Sequence, residues 1–206
     1  MQRLSRIAGV TFAIALIAAM IPAVAAREPV DPSTLNPAPP DWWTVSCERQ
    51  GVGIVCELTF TEDPIVDEPS GVICDGVELL ISVNRSVIGK RFYDADGNLL
   101  QRHYREFLDG TFTNPEAGLT ATWTQHDTVV HDLGSPGVDG TGTERTSGLL
   151  TRVTGPDGQT VLVEVGHLAF DMDAGELTHV SGQHPFIEYF DLGDSEALAP
   201  LCQALD

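Results

Sequence analysis

Five side chains disagree with the pattern around them: Arg85, Gln125, Asp127, His131 and His167. Each falls on the parity that otherwise carries the apolar residues of an alternating stretch, and so points toward a core. In the run from Val77 the odd positions read Val77, Leu79, Ile81, Val83, Arg85 and Val87. After Gly118 the expected inner row is Leu119, Ala121, Trp123, Gln125, Asp127, Val129 and His131, with Thr120, Thr122, Thr124, His126 and Thr128 on a solvated face. Across Gly155-Pro156-Asp157-Gly158, closing Gly155 on Gln159 sets Val153 opposite Val161, Thr151 opposite Val163, Leu149 opposite Val165 and Ser147 opposite His167. A buried charge is costly unless paired, so an inward arginine and an inward aspartate are expected to find each other. The same cluster would meet the polar end of a ligand, whereas placement at strand ends would leave it solvated by water.

Other chemistries leave weaker traces. His126 and His131 are on opposite faces of one strand, so they form no two-histidine metal pair, and no metal or cofactor is expected. An EF-hand loop fails because the position for its bidentate glutamate is Arg105 when counted from Asp94 and Gly182 when counted from Asp171. The four cysteines lack a CxxC knuckle for zinc. No GxSxG elbow, HExxH helix or phosphate-cradling loop is present, while a Ser/His/Asp set has no fixed order in sequence and stays open. Asn84-Arg85-Ser86 matches a glycosylation sequon. Trp42-Trp43 suits either an exposed sugar or peptide platform or a plug for one end of the fold.

The elements that must hold these residues are short and β-rich. Gly and Pro number 20 and 13 in 206 residues, which argues against long helices. Asp94-Ala95-Asp96-Gly97 and Gly155-Pro156-Asp157-Gly158 have the signature of a hairpin loop with a bulge, and Asn114 to Gly118 and Met172 to Gly175 resemble it. Strands are expected at 77–87, 89–93, 98–112, 119–132, 142–154, 159–171 and 176–184. Together with a hairpin at the cysteines they predict an all-β fold, an antiparallel up-and-down meander closed into a barrel of roughly eight strands. Pro200 to Leu205 adds a short helical turn. The Pro-rich stretch 26–41 reads as a solvated tether, TEDPIVDEPS at 61–70 as an acidic connector, and 42–206 as one barrel domain.

Residues 1–25 carry Arg3 and Arg6, then an uncharged apolar stretch ending in Ala23-Val24-Ala25, which predicts a secretory signal peptide cut after Ala25 or Ala26. An uncleaved anchor is the rival reading, since the apolar stretch approaches the ~20 residues that span a bilayer. The expected location is therefore extracellular, without a stable membrane anchor. Acids outnumber bases 30 to 11, a net charge of −19 that repels nucleic acid and anionic lipid. Four cysteines in an exported chain predict two disulfides. A two-residue loop at Gly51-Val52 places Cys47 opposite Cys56 on a closely spaced pair, leaving Cys74 to join Cys202.

The apolar leader, the Pro-rich start, a cysteine before the first β-strand, the repeated Asp/Pro-Gly hairpins and the closing Leu201-Cys202-Gln203-Ala204-Leu205 resemble small secreted proteins of high-GC Gram-positive bacteria. That resemblance covers roughly Cys74 to Leu205 and implies a calycin-like barrel related in shape to allene oxide cyclase and lipocalins. Apolar inward faces broken by a few polar groups predict binding of a small apolar or amphipathic molecule, with Arg85, Gln125, Asp127, His131 and His167 as candidate contacts. An isomerase or cyclase that encloses its substrate, or a non-catalytic envelope protein with a packed interior, are the alternatives.

Overall fold

The computed structural model describes residues 27–206; the expected export segment lies outside them. Ten strands form one antiparallel sheet: β1 (Glu28–Val30), β2 (Thr44–Gln50), β3 (Gly53–Thr61), β4 (Ile65–Cys74), β5 (Val77–Tyr93), β6 (Leu99–Thr113), β7 (Thr120–Asp132), β8 (Thr143–Thr154), β9 (Thr160–Asp171) and β10 (Glu176–Gln183). Two short helices follow, α1 (Pro185–Phe190) and α2 (Ala199–Leu205). The strand order is β1-β2-β3-β5-β6-β7-β8-β9-β10, with β4 on β5. The two strands expected at 77–87 and 89–93 are a single strand, β5, whose one edge takes β4 along Val77–Val83 and β3 along Ser86–Tyr93.

The sheet does not close into a barrel. β4, which lies off the main strand order, follows an irregular register on β5, carries Pro69 without an N–H, and holds Asp67 and Gly71 at φ of 51° and 76°. Such a strand serves as an edge and cannot offer a continuous ladder to a further neighbour. The helices occupy the seam instead. Ile73 N–H donates to Tyr189 Oη of α1 at 2.9 Å, and the Cys74–Cys202 disulfide ties β4 to α2. Leu198, Leu201 and Leu205 are fully buried, in one core with Val72, Leu79, Phe112, Trp123, Val153 and Leu162 from β4 to β9. Asn114 Nδ2, at the turn after β6, donates to the carbonyl of Leu205 and fixes the C-terminus.

The cysteine hairpin has the expected register. Gln50 faces Gly53, Cys47 faces Cys56, and Gly51 takes φ of 62°, which the tight loop requires. The Cys47 and Cys56 Cα atoms are 4.0 Å apart and the thiols are joined.

Two segments read as connectors are structured. In the stretch expected as a tether, Glu28–Val30 pairs with β2, Leu35 is buried, and Asn36 exchanges backbone hydrogen bonds with Gly97 and Leu99. Extended proline-rich backbone docks as an edge here because one apolar side chain anchors it among Ile54, Tyr93 and Leu99. Most of the acidic connector becomes β4, held by backbone pairing while its side chains stay exposed from Ile65 to Pro69.

Candidate functional site

All the ionisable groups that matter here stand on the face of the sheet that carries the core. On β7, burial alternates as the parity demands, with Ala121, Trp123, Gln125, Asp127 and His131 turned inward. Arg85 on β5 is inward and half-buried, but its partners are Glu106 Oε1 at 2.7 Å and Glu62 Oε1 at 2.8 Å, not Asp127. Glu106 lies directly across from Asp127 and two residues along β6 from Leu108, the partner of Arg85, so it shares their face and intercepts the guanidinium. Burial alone would lower the Arg85 pKa; the two carboxylates hold it above its ordinary value.

Asp127 is consequently a buried acid without an ion pair. It is 5% exposed and accepts one hydrogen bond from Gln125 Nε2 at 3.2 Å. Burial pushes its carboxyl up to about 6, with Glu106 adding to the rise and Gln125 opposing it.

The face opens into a pocket of about 210 Å³ between the sheet and α1. Phe112, Trp123 and Phe186 supply its apolar wall, and Gln125, Thr151 and Glu164 its polar groups. The Phe112 and Phe186 rings stack at 5.9 Å, which places α1 over the sheet. Glu164 is 4% exposed and contacts the equally buried His184, Oε1 to Nδ1, at 3.3 Å. His184 Nε2 lies 2.8 Å from the carbonyl of Ser181, so Nε2 carries a proton and donates it. Burial pushes the Glu164 carboxyl up, with His184 opposing. Of the pair, Glu164 lines the pocket, with His184 behind it, so the carboxyl is the group that can meet the polar end of a ligand.

The expected inner row of β9 is corrected. A bulge next to the turn pairs Val153 with Leu162 rather than Val161, and a second bulge at Leu150 restores the pairing of Ser147 with His167. Between and beyond them Leu162, Glu164 and Leu168 face the core, and His167 falls on the opposite face beside His179, ring centroids 5.5 Å apart. His131 does face inward, 2% exposed, but at the other end of β7 from the pocket, with Nε2 donating to the Thr141 carbonyl at 2.7 Å. Of the five candidates, Arg85, Gln125 and Asp127 are thus brought together, Gln125 reaches the pocket, and His131 and His167 are elsewhere. Glu164 and His184 were missed. Glu164 is the single acid in the apolar run Val161 to Phe170, a signal of the same kind as Arg85, hidden because an undetected bulge put it on the wrong parity.

The opposite face carries a broader groove of about 710 Å³, rimmed by Thr59, Ile88 and Arg105 and by the Glu57–Lys90 ion pair at 2.8 Å. Among the described residues no group of three or more His, Cys, Asp or Glu is placed to hold a metal ion, and no helix is long and apolar enough to cross a membrane. Both disulfides are formed, as an oxidising, extracellular environment would allow. Comparison with known protein families, curated proteins and solved structures finds no match to the chain.

Proposed function

We propose that this protein is exported and binds one small amphipathic molecule in the pocket between the sheet and α1. The observation that carries the reading is an apolar pocket of about 210 Å³ on which Gln125, Thr151 and Glu164 converge. An apolar cavity of about 150 Å³ takes up benzene. The pocket therefore suits a single ring, or a chain of similar bulk, with a short polar substituent. A neutral hydroxyl or amide fits its polar end better than a carboxylate, because Gln125 already serves the Asp127 carboxyl and Glu164 is an acid itself. The leader sequence and the two disulfides support the assignment to the outside of the cell. Native mass spectrometry of protein purified from culture medium, followed by calorimetric titration with neutral monocyclic alcohols and amides, tests the proposal. A bound species or saturable uptake weakened by Trp123→Ala is expected; a clean unliganded mass with no uptake refutes it.

The Glu164–His184 pair favours one second reading, an isomerase-like enzyme that moves a proton on the enclosed molecule. That reading requires Glu164→Gln to abolish turnover while leaving the fold and ligand uptake intact.

A further inference from the structure

Cys56, Arg91, Arg102, His131 and Glu144 are successive cross-strand partners from β3 to β8, all on the core-facing side. Arg91 is 4% exposed. Its Nε donates to Tyr104 Oη at 2.9 Å and its guanidinium lies 4.6 Å from the Trp43 ring centroid, yet among the described residues no carboxylate pairs with it. The neighbouring Arg102 gives one Nη2 to Asp139, on the exposed loop after β7. Burial first, and the Arg91 charge beside it, hold the Arg102 guanidinium below its ordinary value. Three buried nitrogens in this one row have no hydrogen-bond partner among the described residues: Arg91 Nη1, Arg102 Nε and His131 Nδ1.

The buried Arg91 and the largely buried Arg102 guanidinium groups repel each other, and each unmatched arginine donor adds a desolvation cost. A chain with 30 acids and 11 bases has carboxylates to spare, so leaving Arg91 without one is a specific arrangement and not a shortage. Guanidinium forks match the planar oxygens of a carboxylate and the tetrahedral oxygens of phosphate or sulfate. We infer that this row is an oxyanion site, in which Arg91 Nη1 and Arg102 Nε donate to one small anion beneath Trp43 and Tyr104. It is distinct from the ligand pocket: Gln125 and His131 stand on the same strand roughly 20 Å apart by strand rise, and the pocket suits a neutral polar group where this row suits an anion.

The test is an NMR titration of arginine Nε–H signals in the full chain, assigned with Arg91→Gln and Arg102→Gln. Sodium phosphate, sodium sulfate and sodium acetate are added in turn, with sodium chloride matching ionic strength. Saturable shifts of the Arg91 and Arg102 signals with at least one oxyanion, absent with chloride, are expected, and Arg91→Gln should weaken that binding about 10- to 100-fold. Response to phosphate and sulfate alone identifies an inorganic oxyanion; response to acetate identifies the carboxylate of an organic ligand. Shifts no different from those in chloride, or equal affinity in Arg91→Gln, overturn the inference. Should Arg91→Gln not fold, the less buried Arg102→Gln decides it, loss of affinity supporting the site and unchanged affinity overturning it.

Discussion

Replacing Asp127 by Asn is expected to stabilise the protein, by an amount that depends on pH in a defined way. Asn has the shape of the protonated acid and keeps an oxygen for the Gln125 donor at 3.2 Å. The folded state holds the Asp127 proton up to about 6, whereas the unfolded chain releases it near the ordinary value of 3.8. Because the folded state binds the proton more tightly, the aspartate lowers stability progressively as pH rises through that window. A difference of about two pKa units corresponds to about 3 kcal/mol, at 1.36 kcal/mol per unit. Urea unfolding of both proteins therefore should give nearly equal midpoints below pH 3.8 and a higher midpoint for Asp127→Asn above pH 6, with similar slopes. Titrations of the other carboxylates are common to both chains and cancel in the difference. A variant equally or less stable above pH 6 would refute the reasoning, since it would mean that the buried carboxylate is paired well enough to be worth its charge.

The remaining predictions concern the frame. Replacing both Cys74 and Cys202 by Ser opens a loop of sequence separation 128 and should cost about 4–5 kcal/mol in denaturant unfolding; a loss near zero would mean that the helices are held in the seam without the bridge. Leu201→Ala, at a fully buried position of α2, should lower stability by about 2–5 kcal/mol, and a loss under half of the lower figure would show that the helix is not part of the main core. Gly166→Ala places a Cβ over the Ser181 carbonyl oxygen and 2.8 Å from His184 Nε2 at φ of 152°, so a loss of at least about 3 kcal/mol is expected in thermal or urea unfolding. Normal stability in that variant would mean that β9 and β10 do not approach as closely as drawn.

What the sequence reveals about this fold depends on whether a feature is local. The cysteine hairpin is local: one glycine loop sets the pairing, and every residue from Gln50 back to Cys47 follows from it. The parity of β5 and β7 is legible for the same reason, because neither strand is interrupted by an extra residue between its turn and its misfits. β9 is not, because the bulge beside Val153 adds one residue and turns Glu164 inward and His167 outward. Closure is the least local property. It depends on whether the first and last strands can exchange backbone hydrogen bonds, and no side-chain pattern announces that Tyr189 and Cys202 will fill the seam. β4 and β1 join the sheet through their backbones with few buried side chains, so hydrophobic alternation has nothing to report for them.

The buried charges are easier to understand as a set than one at a time. A core face could be filled more stably with hydrophobic residues of similar volume than with ionic groups. Here the same face carries Glu164 with His184 at the α1 end, Arg85, Glu106 and Asp127 in the middle, and Arg91, Arg102 and His131 toward the hairpin end. The Arg85 guanidinium meets two carboxylates, an excess of one acid, and Asp127 beside it is left with a raised carboxyl. Toward the hairpin end Arg91 is a buried arginine with no carboxylate partner among the described residues, beside Arg102 on Asp139. Structural ion pairs tend to cancel where they sit, since that is how a fold limits their desolvation cost. Asp127 in the middle of the face and Arg91 under an aromatic lid toward its hairpin end are the groups this cancellation leaves over, and a surface that receives a polar partner would retain such groups.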